Sequence, residues 1–101
     1  MLKLTAEHRE HFKVDGFVLI EDMLDPGLAR AAAARFAPLF RGEFETGLMP
    51  DEWNWRDGRD PDHLTRQICN GWKSDRLLAS VVLRGEIGQA CAELMDWPGA
   101  R

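Results

Sequence analysis

One hundred and one residues are enough for one domain and not for two, because compact domains usually run to about 100–150 residues. A hydrophobic fraction of 45% beside a charged fraction of 30% belongs to a soluble globular chain and argues against disorder. Thirteen Lys and Arg against seventeen Asp and Glu leave a net charge of −4, which gives nucleic acid no basic face to bind, and no apolar run approaches the roughly 20 residues of a membrane span.

The N-terminus, from Met1 to His8, has neither the apolar core nor the small-residue cleavage site of a secretory leader, so a cytoplasmic location is the default. Thr5 reads as the cap of a first helix that runs to about Val14, with Leu4 placed for a hydrophobic staple and Gly16 for a left-handed C-terminus. The short apolar run Gly16-Phe17-Val18-Leu19-Ile20-Glu21 predicts a strand buried on both faces. Asp25-Pro26 opens a second helix carrying Leu28, Ala31, Ala32, Arg35, Phe36, Leu39 and Phe40. Pro38 kinks or ends it near Ala37, since the ring clashes with the carbonyl four residues back.

From about 42 to 63 no period holds. Gly47, Pro50, Gly58 and Pro61 mix with acidic residues, yet Phe44, Leu48, Met49, Trp53 and Trp55 require the loop to pack against something. Thr65–Asn70 reads as a short strand, and Ser74 as the cap of a helix with Leu77, Leu78, Val81 and Val82 on one side. Gly85 breaks that helix. Another follows with Ile87, Ala90, Cys91, Leu94 and Met95 in register and stops at Trp97-Pro98-Gly99. These elements make an α+β chain of residues 1–101 that forms one partial domain, in which no sheet covers the helices.

Few residue groups carry chemistry. His8 and His11 share a helix face with Asp15 four residues on, but the spacing matches no established metal helix and the neighbours are charged, so a solvated face is the reading. His63 reads as a loop residue. Asp51, Glu52, Asp57, Asp60 and Asp62 lack the spacing of a calcium loop. Cys69 and Cys91 sit in no metal pattern and are expected as reduced core thiols. No glycine pattern cradles a phosphate, and no nucleophile meets a base. Trp53 and Trp55 face the same side if locally extended, where they either line a substrate entrance or pin the loop to the body.

Read whole, the order of elements is distinctive. The capped helix, the junction Phe12-Lys13-x-Asp15-Gly16-Phe17-Val18-Leu19-Ile20 and the Asp-Pro helix resemble the N-terminal opening of the phytanoyl-CoA dioxygenase family. Arg66-Gln67-Ile68, Trp72, Ser74-Asp75-Arg76-Leu77-Leu78, Ile87-Gly88, Leu94-Met95 and Trp97-Pro98-Gly99-Ala100-Arg101 look like the same family, so the resemblance spans essentially the whole chain.

That resemblance implies an iron(II)- and 2-oxoglutarate-dependent oxygenase on a double-stranded β-helix, a jelly-roll barrel, oxidising a small organic substrate by hydroxylation. The family's metal is held by a His-x-Asp pair and a distant His, a face that leaves positions open for 2-oxoglutarate and oxygen. His8, His11 and His63 are followed two residues later by Glu10, Lys13 and Thr65. No catalytic, metal or cofactor-binding residue therefore transfers to this chain, which is expected to be inactive alone. Iron(II) and 2-oxoglutarate belong to a full-length parent. The Phe17–Ile20 strand then extends a sheet edge, and the stripes Leu28/Phe36/Leu39, Leu77/Val81 and Ile87/Cys91/Leu94 face missing barrel strands. Trp53 and Trp55 become the substrate-shaping candidates of a lid loop. Bare apolar helix faces invite self-association. The competing readings are a complete, non-catalytic α+β interaction module and, behind it, an unrelated metal-binding or hydrolytic protein using His8, His11 or His63.

Overall fold

The computed structural model describes residues 2–100. The chain is α+β: helices α1 (Ala6–Asp15), α2 (Pro26–Ala34) and α3 (Phe36–Phe40) come first, then strands β1 (Glu52–Trp53) and β2 (Ile68–Cys69). A 3-10 turn at Gly71–Lys73 precedes α4 (Arg76–Val82) and α5 (Gly85–Met95). The strands pair antiparallel, Glu52 opposite Cys69 and Trp53 opposite Ile68. The described residues gather into two compact units, residues 2–25 with 83–100, and Pro26–Val82.

In the first unit α1 is set by its ends. Thr5 Oγ1 accepts from the His8 N–H at 3.1 Å, and His8 Nδ1 accepts from the Thr5 N–H at 3.1 Å. This is a capping box in which an imidazole stands where Glu or Gln is usual. Gly16 closes the helix at φ 77°, its N–H donating to Phe12 O at 2.9 Å; a side chain there would strain the left-handed backbone. The staple does not form as predicted, because the fourth helical residue is Arg9, which reaches Glu93 of α5 at 3.8 Å. No residue of α1 is buried.

The predicted strand at Gly16–Glu21 is absent: it joins no ladder among the described residues, and Phe17 and Leu19 are 56% and 78% exposed. An apolar β-branched run is a strand only when a neighbour takes its peptide groups, and this unit offers none. Leu83 and Arg84 separate α4 from α5, and Gly85 is the first residue of α5 rather than the breaker. That helix ends at Asp96 in the left-handed region (φ 59°), with the Trp97 N–H donating to Ala92 O at 2.9 Å. Ala90 and Ala92 are its buried residues, and Cys91, expected in a core, is exposed.

In the second unit α2 starts at Pro26 behind Asp25, as predicted, but stops at Ala34 rather than Ala37. Pro38 accounts for the shift. It has no N–H for the Ala34 carbonyl and its ring crowds that oxygen, so the break falls where the carbonyl is lost rather than beside the ring. Pro38 itself lies in the first turn of α3, where no intrahelical N–H is required. Leu39, Phe40, Trp55 and Leu78 form the buried core. Of the predicted stripes Leu39 is therefore satisfied internally, while Phe36 stays 46% exposed.

The cap of α4 is Asp75, not Ser74: Asp75 Oδ1 accepts from the Leu78 N–H at 3.1 Å. Ser74, fully buried, donates instead to Leu48 O at 2.7 Å and ties the long loop down. The Thr65–Asn70 strand shortens to Ile68–Cys69, and its partner β1 lies inside the stretch that shows no period in the sequence.

Candidate functional site

The stretch from 42 to 70 holds both tryptophans singled out by sequence. Trp53 belongs to β1, and the Asn54 N–H still donates to Gln67 O at 2.9 Å, so the ladder is prolonged one residue beyond the strand. The two rings, two residues apart, nevertheless pack into separate clusters. Trp53 meets Phe44 edge-on at 5.2 Å, with the Arg56 guanidinium 4.1 Å from its ring centre. Gly42 (φ 82°) lies under this ring; a Cβ there would come within 2.7 Å of the indole, so both the backbone angle and the contact require glycine.

Trp55 is 1% exposed. It meets Phe40 edge-on at 5.8 Å, carries Arg66 over its ring at 3.9 Å and donates its Nε1–H to Pro61 O at 2.9 Å. Its indole is both buried and satisfied. Trp53 is half-buried, and its Nε1 and the Nε of Arg56 are buried with no hydrogen-bond partner among the described residues. Sequence reasoning missed the two arginines; Arg56 had a local signal, a cation directly after Trp53-Asn54-Trp55, whereas Arg66 lies eleven residues from the ring it covers and had none.

Ion pairs fix the surroundings. Arg35 Nε donates to Asp75 Oδ2 at 2.6 Å, and its Nη2 lies 3.7 Å from Glu45. The hydrogen bond that Arg35 donates to Asp75, more than the charge of that carboxylate, raises the guanidinium above its ordinary value. Asp51 accepts from Lys73 Nζ at 2.7 Å and from the Asn70 amide, and these bonds hold its carboxyl below the usual range. Asp60 is lowered chiefly by Arg59 and by the Arg56 backbone N–H. Cross-strand pairing places Glu52 Oε2 3.3 Å from Cys69 Sγ, and that hydrogen bond, followed by burial, pushes the thiol up. Cys69 is half-buried, and both cysteines are free thiols.

The histidines are used locally. His8 holds the α1 cap, and His11 Nε2 sits 2.8 Å from Asp15. His63 is exposed. Among the described residues no three His, Cys, Asp or Glu side chains gather where a metal could be held. These residues do not fit an iron centre. The acidic residues of the long loop are spread across separate partners, Asp51 on Lys73, Asp60 on Arg59 and Asp62 3.5 Å from Arg66.

An open-sided cavity of about 630 Å³ lies beside Leu48, Met49, Trp72, Lys73, Arg76 and Ala79. No described helix is long and apolar enough to cross a membrane. Compared with known proteins, the chain matches no protein-family model, no curated protein and no solved structure.

Proposed function

We propose that this chain is the N-terminal part of an iron(II)- and 2-oxoglutarate-dependent oxygenase resembling the phytanoyl-CoA dioxygenase family, oxidising a small organic substrate on a jelly-roll barrel built by further sequence. The observation that carries this reading is the run Phe17–Ile20. It is apolar and β-branched, it joins no strand among the described residues, and Phe17 and Leu19 lie exposed. Such a run suits the edge of a sheet that some other segment completes. Val14 at 71%, Leu83 at 61% and Trp97 at 54% exposure add apolar surface that a barrel wall would cover. The metal and co-substrate are held by that barrel in this reading, and no step of the chemistry is assigned to residues of this chain.

Within the proposal Trp53 shapes substrate access. Its half-buried ring and its N–H, which meets no acceptor among the described residues, support this role more than the enclosed indole of Trp55 supports a matching one. Trp55 acts through the wall it makes with Phe40 and Arg66.

The test reads the encoding nucleotide sequence beyond the Arg101 codon and assays the complete product for succinate release from 2-oxoglutarate with iron(II). An in-frame His-x-Asp pair and iron-dependent succinate are expected. In that product Trp53→Ala should raise the apparent KM for substrate and leave iron occupancy unchanged; equal loss of both assigns Trp53 to packing. A stop after Arg101 together with a monomer that melts sharply overturns the oxygenase reading and favours the non-catalytic interaction module, whose exposed faces would meet a partner protein.

A further inference from the structure

The cavity beside α4 is mostly apolar and is rimmed by a few polar side chains. Its walls are apolar and aromatic, from Leu48, Met49, Trp72 and Ala79, with Leu48 and Met49 60% and 64% exposed. Its volume of about 630 Å³ falls in the range of small-molecule sites, which pair apolar walls with a few polar groups that fix orientation.

The polar atoms at its rim are largely committed. Trp72 Nε1 donates to Asn70 Oδ1 at 3.2 Å, and Lys73 Nζ is held by Asp51 at 2.7 Å. Thr46 Oγ1 donates to Lys73 O at 2.6 Å and accepts from the Leu48 N–H. Arg76 differs. Its backbone N–H is taken by Glu45 Oε1, but its guanidinium makes one long bond, 3.4 Å from Nη1 to Glu45 O, and no carboxylate pairs with it among the described residues. The nearby Glu45 carboxylate is occupied by that Arg76 N–H and by Arg35. A guanidinium offers a planar fork that matches a carboxylate bidentately. An aromatic ring suits the wall, since indole faces and thioether sulfur both favour aromatic contacts.

We propose that this cavity binds an aromatic monocarboxylate, its ring against Met49 and Trp72 and its carboxylate on Arg76. The assignment does not rest on the oxygenase reading, because every lining residue belongs to the unit Pro26–Val82.

The test compares 1-naphthylacetate with 2-(1-naphthyl)ethanol, the same ring bearing a hydroxyl, by equilibrium dialysis against the complete product of the reading frame. The acid should bind about tenfold tighter, the size of one charge-assisted hydrogen-bonded contact at a partly wet site. Arg76→Gln should erase that preference and leave the alcohol unchanged, Arg76→Lys should keep part of it, and Met49→Ser should weaken both ligands alike. Equal binding of acid and alcohol by the unsubstituted protein, or binding of neither, overturns the proposal without any variant having to fold. A preference that survives Arg76→Gln overturns the role given to Arg76. Succinate release plays no part in this comparison, so the two proposals fail separately.

Discussion

The two compact units solve the same problem differently. Pro26–Val82 has short elements and a thin apolar core, yet it locks itself with directional contacts: a buried Asp75 on Arg35, a buried Ser74 on Leu48, and two tryptophans each stacked with a cation. The unit of residues 2–25 and 83–100 has α1 capped at both ends and no comparable interior among the described residues; its buried residues are the small Ala90 and Ala92, while Val14, Phe17 and Leu19 face outward. Good local signals are therefore not the same as a core. Capping closes a helix for about 1 kcal/mol, whereas one enclosed large side chain contributes several times as much.

The largest effect should come from Trp55→Ala. Removing an indole that is 1% exposed should cost about 3–5 kcal/mol, read as a fall in the urea midpoint. Phe17→Ser is the matched control in the other unit. It should change stability by less than about 0.5 kcal/mol while lowering the sedimentation-average mass of any self-associated species. Similar destabilisation by both substitutions would dissolve the contrast.

Asp75→Ala comes next. The lost cap on α4 alone costs about 1 kcal/mol. Arg35 is left without its closest carboxylate, so the total should exceed that figure, and the loss should appear as lower helicity in the folded baseline together with an earlier midpoint. Asp75→Asn keeps a capping oxygen but not the charge and should fall between the two. If alanine and asparagine are equally harmful, the Arg35 pair rather than the cap carries the interaction.

The same distinction explains what the amino-acid order reveals. The ends of α1 were readable because Thr5, Gly16 and their partners lie within a few residues, and the start of α2 was readable from Asp25-Pro26 for the same reason. Pro38 was read correctly as a breaker, but its effect falls on the carbonyl of Ala34, so the boundary moved upstream. The cap of α4 was displaced by one residue because Ser74 and Asp75 are both good caps, and only the distant Leu48 and Arg35 decide between them. Strands were the weakest reading. Phe17–Ile20 had the composition but joins no ladder among the described residues, while Glu52–Trp53 pairs with residues fifteen to seventeen positions away and had almost no pattern. The clusters around Trp53 and Trp55 needed Arg56 and Arg66, whose placement depends on that pairing.

The smallest effect probes the pairing itself. Glu52 stands opposite Cys69, and its carboxylate accepts from the thiol at 3.3 Å, which raises the thiol above its ordinary value and keeps it protonated. A raised thiol holds less thiolate at any given pH, and thiolate is the species that alkylates. Glu52→Gln removes the charge while keeping the side-chain length, so Cys69 should react severalfold faster with iodoacetamide at pH 8, and the gain should shrink as the pH rises far enough to ionise the thiol in both proteins. Cys91, exposed on α5, is the internal reference and should keep its rate. If both cysteines accelerate together, the substitution has loosened the fold. If neither does, Glu52 and Cys69 are not held face to face, and the register that positions Trp53 loses its support.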